Sequence, residues 1–280
     1  MVRVSADSTC DLSPELIARY GLGIAPLYIV RDGESLRDGM EIRPQDIFDY
    51  VDKTGKLLKT SAVSVEDYIS LFRRLTQDGS EVVHITISAE MSACYQNACL
   101  AAQEVPGVFP VDSRNLSTGM GLVVIEAAKR AQAGEDGAAI QKAMNALTPR
   151  IEASFVIERL DYLYKGGRCS ALAALGANIL HLKPCIEVRN GKMGVGRKYR
   201  GSYDKVLRQY ARDRLHGRDD IERERAFVTY TTCAPETVRA VKEICAEEGR
   251  FAELLETRAG CTISNHCGPN TLGVLFIRKG

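Results

Sequence analysis

The sequence carries almost no excess charge: 37 Lys and Arg face 36 Asp and Glu, for a net charge of +1 over 280 residues. No global field therefore favours nucleic acid or an anionic membrane surface. Long apolar runs are also missing. The longest, GLVVIEAA and ALAALGANIL, fall well short of the roughly 20 residues that cross a bilayer, so no transmembrane segment is expected and membrane contact would be transient at most. The opening MVRVSADS lacks the apolar region of a secretory signal, and a cytoplasmic location is expected. No Cys-x-x-Cys occurs among the nine cysteines, which argues against structural zinc. Without a secretory signal a disulfide framework is not expected either, and most of these cysteines read as small buried apolar residues. There is no G-x-x-x-x-G-K-[ST], and neither GMG nor GVG continues as G-x-G-x-x-G, so the nucleotide-binding loops are absent. No fixed-period repeat or low-complexity tract is present.

What is there fits a soluble globular chain of two domains. Hydrophobic residues make up 45% and charged residues 26% of the sequence, and 280 residues exceed what one core usually serves. In the first half, VRVSADS, IAPLYIVRD, VVHITIS and VFPVDS read as strands. Between them PELIARYG, RPQDIFDYVDKTG, VEDYISLFRRLTQDG, CYQNACLAAQEV and GMGLVVIEAAKRAQAG read as helices. That alternation implies parallel βαβ units. After AAIQKAMNALTPRI the pattern changes. Asn190-Gly191 between two extended runs signals a hairpin, and the amphipathic helices SYDKVLRQYARDRL and PETVRAVKEICAEEG follow before a last strand, TLGVLFIRKG. The expected fold class is α/β, with an N-terminal parallel-sheet βαβ domain at 1–155 and a C-terminal α+β domain at 156–280.

Three groups of residues could carry chemistry. Two strands end in Asp-Ser, at Asp7-Ser8 and Asp112-Ser113, where parallel sheets place ligands; turn and capping roles are the stronger reading, since acidic side chains repel anions. Thr60 and Ser61, in LKTSAVS, and Ser88 and Ser92, in ISAEMSACYQ, lie at helix entrances. Hydroxyls and unpaired backbone N–H groups there form an anion site without a cation. Ser92 could equally be an N-cap, although Tyr95 rather than Glu or Gln stands at the capping-box position. It does not sit in a G-x-S-x-G elbow, because Glu90 and Cys94 occupy the glycine positions. Of the four histidines, His84 reads as strand interior, His181 as a cap and His216 as solvated. His266, in CTISNHCGPNTLG, sits among turn-forming residues and is the candidate for function. The basic tract RKYRGSYDK reads as solvated surface, and ALAALGANIL as a buried helix or the wall of an apolar cavity.

Taken in order, DSTCDL at 7–12, PLYI at 26–29, DGMEI at 38–42, TSAVS at 60–64, ISAEMSACYQNA at 87–98, VDSRNLSTGMG at 111–121, LDYLYKGGR at 160–168, KPCIEV at 183–188 and NHCGPNTLG at 265–273 resemble the DegV family of lipid-binding proteins. Its members include the FakB subunits of bacterial fatty acid kinases, and the resemblance spans essentially the whole chain. It implies a two-domain α/β protein holding a long-chain fatty acid between the domains, with no other cofactor and no metal. The carboxylate would be held by the hydroxyls of Thr60 or Ser61 and of Ser92, with His266 nearby. The family protein is not itself an enzyme; it presents the carboxylate to a separate ATP-dependent kinase that makes an acyl phosphate. Arg168 and Arg200 would lie near the mouth of the lipid site, where a kinase docks. Two departures stand out: MSACYQ replaces the usual LSGTYQ, and HCGPN replaces HxGPG.

The residues suit that implication. An acyl chain of roughly 15 methylenes gains on the order of 12 kcal/mol on transfer from water, at ~0.8 kcal/mol per CH₂ before binding costs. A hydroxyl cradle then has only to orient the head group, and it leaves the carboxylate more nucleophilic than a tight arginine pair would. Ser92 accordingly reads as part of a cradle. The competing reading is a serine-dependent esterase or thioesterase using Ser92 and His266, which would need an acidic partner for the histidine.

Overall fold

Strand β1 (Val2–Asp7) is buried over its last four residues and becomes an inner strand of a parallel sheet. In this computed structural model, which describes residues 1–169 and 182–280, the expected apolar helix at 171–180 and His181 lie outside the described residues. After β1 the chain forms helix α1 (Pro14–Tyr20), capped by Ser13 and closed by left-handed Gly21, and then β2 (Gly23–Ala25). The single strand expected over IAPLYIVRD is broken here. Pro26 cannot donate to a ladder, and the Leu27 amide turns to Ser8 Oγ at 3.1 Å. The chain leaves the parallel sheet and starts a second one with β3 (Tyr28–Arg31) and β4 (Glu34–Arg37). Helix α2 (Pro44–Thr54) leads to β5 (Lys59–Ser61), which pairs with β3 to complete this small antiparallel sheet.

Helix α3 (Val65–Thr76), capped by Ser64, buries Tyr68, Leu71 and Phe72 at helical spacing. Then come β6 (Glu81–Thr86), α4 (Cys94–Glu104), β7 (Val108–Asp112) and α5 (Ser117–Gln132). The parallel sheet has the order β2-β1-β6-β7. Helix α6 (Gly137–Leu147) delivers the chain to β8 (Ile151–Ile157), and α7 (Leu160–Gly166) follows. The division expected at 155 falls inside β8, which pairs with later strands.

The Asn190-Gly191 hairpin forms between β9 (Lys183–Arg189) and β10 (Lys192–Tyr199). Both turn residues have positive φ, 52° and 82°, as a two-residue hairpin turn requires. Helix α8 (Tyr203–Leu215), β11 (Ile221–Tyr230), α9 (Pro235–Ile244), β12 (Glu253–Arg258), α10 (Cys261–Cys267) and β13 (Thr271–Arg278) complete a six-stranded mixed sheet, β10-β9-β8-β13-β11-β12. The chain is thus an α/β protein with a parallel sheet in its first part and a mixed sheet in its second. Helix α5 packs against both sheets and is buried along most of its length, so its sequence is apolar nearly all round.

All cysteines except Cys99 and Cys233 are buried, and none is joined in a disulfide. Among the described residues no helix is long and apolar enough to cross a membrane, and no His/Cys/Asp/Glu group could hold a metal ion.

Candidate functional site

Thr60 and Ser61 lie on strand β5, opposite Ile29 and Tyr28 of β3, rather than at the helix entrance itself; that position belongs to Ser64. Ser92 lies in the loop between β6 and α4, at the carboxyl end of the parallel sheet. Its Oγ accepts the Cys94 amide at 3.3 Å and donates to Cys94 Sγ at 3.2 Å, so it does act on the first turn of α4. The third contribution corrects the loop expected around His266. That segment is helix α10, with His266 in its last turn. The sequence CTISNHC is a poor isolated helix, but Asp38 seats its start from 223 residues away. Asp38 Oδ1 accepts the Cys261 amide at 2.8 Å, and Oδ2 accepts the Thr262 amide at 3.0 Å and hydroxyl at 2.7 Å. Asp11 Oδ1 takes the Gly260 amide at 2.8 Å. Carboxyl oxygens suit the exposed N–H groups of a helix start as acceptors.

Together these elements enclose a cavity of about 50 Å³. Thr60, Ser61, Ser92, Arg168 and His266 line it, with an apolar wall that includes Leu27, Ile87, Met91, Leu116, Met193 and Ile263. A second cavity of about 20 Å³ lies beyond Leu116, Ile263 and Cys267, which line both. Arg200 does not line the first cavity; it is exposed in the turn after β10.

Thr60 Oγ1 and His266 Nε2 are 2.9 Å apart. His266 Nδ1 is buried without a partner and lies against Gly166, where a Cβ would collide with it. Burial, reinforced by the charge of Arg168, pushes the His266 pKa down to about 4, so the ring is neutral at pH 7. A neutral imidazole has one N–H. Placing it on Nδ1 would leave a sealed donor without an acceptor, the costlier arrangement. The hydrogen therefore belongs on Nε2, which donates to Thr60 Oγ1 and leaves the threonine hydroxyl free to donate elsewhere. Arg168 Nη1 is held by the Gly166 carbonyl at 2.7 Å.

Ser88 has a different task from Ser92. Its hydroxyl donates to the Gly191 carbonyl at 2.7 Å, tying the β9–β10 hairpin to the loop after β6. A side chain at Gly191 would come within 2.8 Å of Ser88 Oγ. Arg114 Nη2 donates to the Asn190 carbonyl at 2.8 Å, and Lys192 pairs with Glu90 at 3.2 Å. The docked hairpin carries Met193 to the cavity wall. The two Asp-Ser dipeptides are used internally. Asp7 Oδ1 accepts from Tyr68 at 2.6 Å and its Oδ2 takes the Ile87 amide at 2.9 Å, while Asp112 Oδ1 takes the amides of Ala89 and Arg114. His84 is buried between Asp7 and Ser5.

The DegV family model, described as an uncharacterised protein family, matches residues 1–279. The chain belongs to the DegV family. A DegV domain-containing protein of Caldanaerobacter subterraneus subsp. tengcongensis is 30% identical over 280 residues, with 99% of each chain covered. Among solved structures, a DegV family protein from Thermus thermophilus, described by its fatty acid binding, superposes with a TM-score of 0.89 at 30% identity, covering 99% of each chain. A stearic-acid-binding protein from Eubacterium ventriosum gives 0.85 at 26% identity, covering 100% of this chain and 99% of that one.

Both departures from the usual DegV motifs have local compensation. Ala93 has ordinary right-handed backbone, φ −76° and ψ 0°, so no glycine is needed there. Cys94 is buried and accepts the Ser92 hydroxyl; burial pushes its thiol up to about 12, which keeps it protonated. Asn270, in place of glycine, keeps the left-handed backbone at φ 53°, which asparagine tolerates better than most residues. Its side chain donates to Glu158 at 2.7 Å.

Proposed function

We propose that this DegV protein binds a long-chain fatty acid and presents its carboxylate to a separate ATP-dependent kinase for acyl phosphate formation, without being the enzyme itself. The observation that carries the reading is the Thr60–His266 pair at 2.9 Å, with Ser61 and Ser92 around the same apolar-walled cavity. Solved relatives described as fatty-acid-binding support it. In this reading residues 1–155 supply the hydroxyls, and 156–280 supply His266, Arg168 and the closing hairpin. The carboxylate sits at the hydroxyls, and the acyl chain runs toward the second cavity once Leu116, Ile263 and Cys267 turn aside. Arg168, at the cavity rim, and the exposed Arg200 are the proposed kinase-docking residues.

The esterase reading gains no support. His266 pairs with Thr60, Ser92 donates to a sulfur, and among the described residues no carboxylate hydrogen-bonds to His266. Mass spectrometry of lipid extracted from purified protein tests the proposal. About one long-chain fatty acid per chain is expected; an empty protein that also fails to take up labelled fatty acid refutes it.

A further inference from the structure

Outside the lipid site, a concave groove of about 840 Å³ runs between the loop at Arg114, the segment 145–153 and strand β9. Five arginines line it, Arg114, Arg189, Arg214, Arg218 and Arg278, against two carboxylates, Glu152 and Glu187. On a chain of net charge +1 this is a marked local concentration of positive charge. The carboxylates organise part of the cluster. Arg214 bonds both Glu152 and Glu187, Arg189 bonds Glu187, and Arg218 bonds Glu152 and, at the edge of the groove, Asp220. Two arginines remain under-neutralised. Arg114 and Arg278 donate to carbonyls, those of Asn190 and Pro149, and Arg278 Nε stays 3.8 Å from Glu152. Arg214 Nε is buried with no hydrogen-bond partner.

We propose that this groove is a second ligand site, for a small phosphate monoester that carries no nucleobase. Guanidinium forks match phosphate oxygens in pairs and stay charged at any physiological pH. The volume lies in the range of small-molecule clefts, and the charges converge in a concavity instead of lying along a flat face. Asn115, Asn145 and Thr148 add neutral hydrogen-bonding groups suited to hydroxyls of the ligand. Among the described residues no aromatic side chain lines the groove, so a base has nothing to stack on. The proposal does not depend on the fatty-acid reading.

Calorimetric titration of the full chain at low ionic strength, with inorganic phosphate and with pyrophosphate, tests it. Both should bind, pyrophosphate more tightly, and adenosine diphosphate should bind no better than pyrophosphate. Arg114→Gln and Arg278→Gln should each weaken pyrophosphate about tenfold, the loss of one charge-assisted bond, and Arg278→Gln, remote from the lipid cavity, should leave fatty-acid occupancy unchanged. Absence of binding, equal affinity in both variants, or a large gain from the adenosine overturns the proposal. Binding of a polyglutamate peptide with no response to either phosphate also overturns it, and makes the groove a protein-docking face.

Discussion

The parallel sheet and the six-stranded sheet reach the cavity by different routes. Strands β1 and β6 are nearly continuous runs of buried residues, and the first sheet offers its ligand-facing groups from the loop at their carboxyl ends, where Ser92 meets the start of α4. The six-stranded sheet contributes through additions to its edges and connections. Helix α10, inserted between β12 and β13, carries His266, and the β9–β10 hairpin carries Met193. Ser92 is therefore set by local helix-start geometry, whereas His266 depends on Asp38 and Asp11 reaching across from the first part of the chain. The difference teaches that the two halves of the site have unequal tolerance: the serine side is self-supporting and the histidine side is not.

That asymmetry can be broken most severely at Asp38. Asp38→Ala leaves two buried backbone donors of α10 without acceptors, and at ~1–3 kcal/mol each with the threonine hydroxyl bond lost as well, a loss of about 3–5 kcal/mol is expected. Denaturant unfolding should show it, and lipid occupancy should fall with it; a variant that keeps wild-type occupancy would mean α10 is dispensable. Ser92→Ala is milder. One hydrogen bond to a charged group is worth roughly 1.5–3 kcal/mol, while the acyl chain still contributes its area. Phosphorylation by a cognate kinase should fall more steeply than lipid uptake, and ester hydrolysis by the wild type that the substitution abolishes would favour the esterase instead.

The histidine side also carries two opposed responses to pH. Burial pushes Asp11 up to about 8, against the bonds from Ser117 and the Gly260 amide. A raised folded pKa gives stability that is present below the unfolded value and lost as pH rises through the folded one. His266, depressed to about 4, acts in the other sense: its contribution is present above pH ~6.5 and lost as pH falls toward 4. Between about pH 6.5 and 8 only the Asp11 slope of the two remains, so stability should fall as pH rises across that window, by on the order of 1 kcal/mol. Asp11→Asn should flatten the drop; an unchanged slope in unfolding measurements against pH would show that Asp11 is already ionised. The smallest effects belong to Arg168→Ala and Arg200→Ala. Each should change stability by less than about 0.5 kcal/mol and leave fatty-acid occupancy intact while impairing acyl phosphate formation, because rim charges act on partner association. Kinase titration with bound lipid quantified in parallel separates the outcomes: unchanged turnover removes both from kinase docking, and lost lipid gives the affected arginine a part in holding the ligand.

Much of the architecture was legible. Helical spacing in VEDYISLFRRLT, the Asn190-Gly191 turn and the βαβ alternation are local signals, and local physics produces them. The small sheet of β3, β4 and β5 was not legible, because its three-to-four-residue strands are too short to show a period and β3 was fused with β2 across Pro26. Helix α10 was missed for a related reason, since the groups that stabilise its start lie more than 200 residues away in sequence. At the cavity the residue types of Thr60, Ser61, Ser92 and His266 were legible as candidates, while the role of Asp38, quoted only as the first residue of DGMEI, was not, because a carboxylate that caps a helix distant in sequence carries no local pattern.

The sequence by itself determined which residues could be buried and where most strands and helices begin and end, which follow from short-range backbone preference and apolar spacing; the likeness to the DegV family rests separately on its ordered motifs. Tertiary structure alone decided which hydroxyls face the cavity. Ser88 was turned to a hairpin carbonyl 103 residues along the chain, while Ser92, held by its own helix start, was left at the cavity. It also decided the state of His266: desolvation and Arg168 hold the ring neutral, and Gly166 seals the nitrogen that would otherwise have competed for the proton. Burial, distance and the presence of an acceptor are properties of packed neighbours, and no local stretch of sequence encodes them.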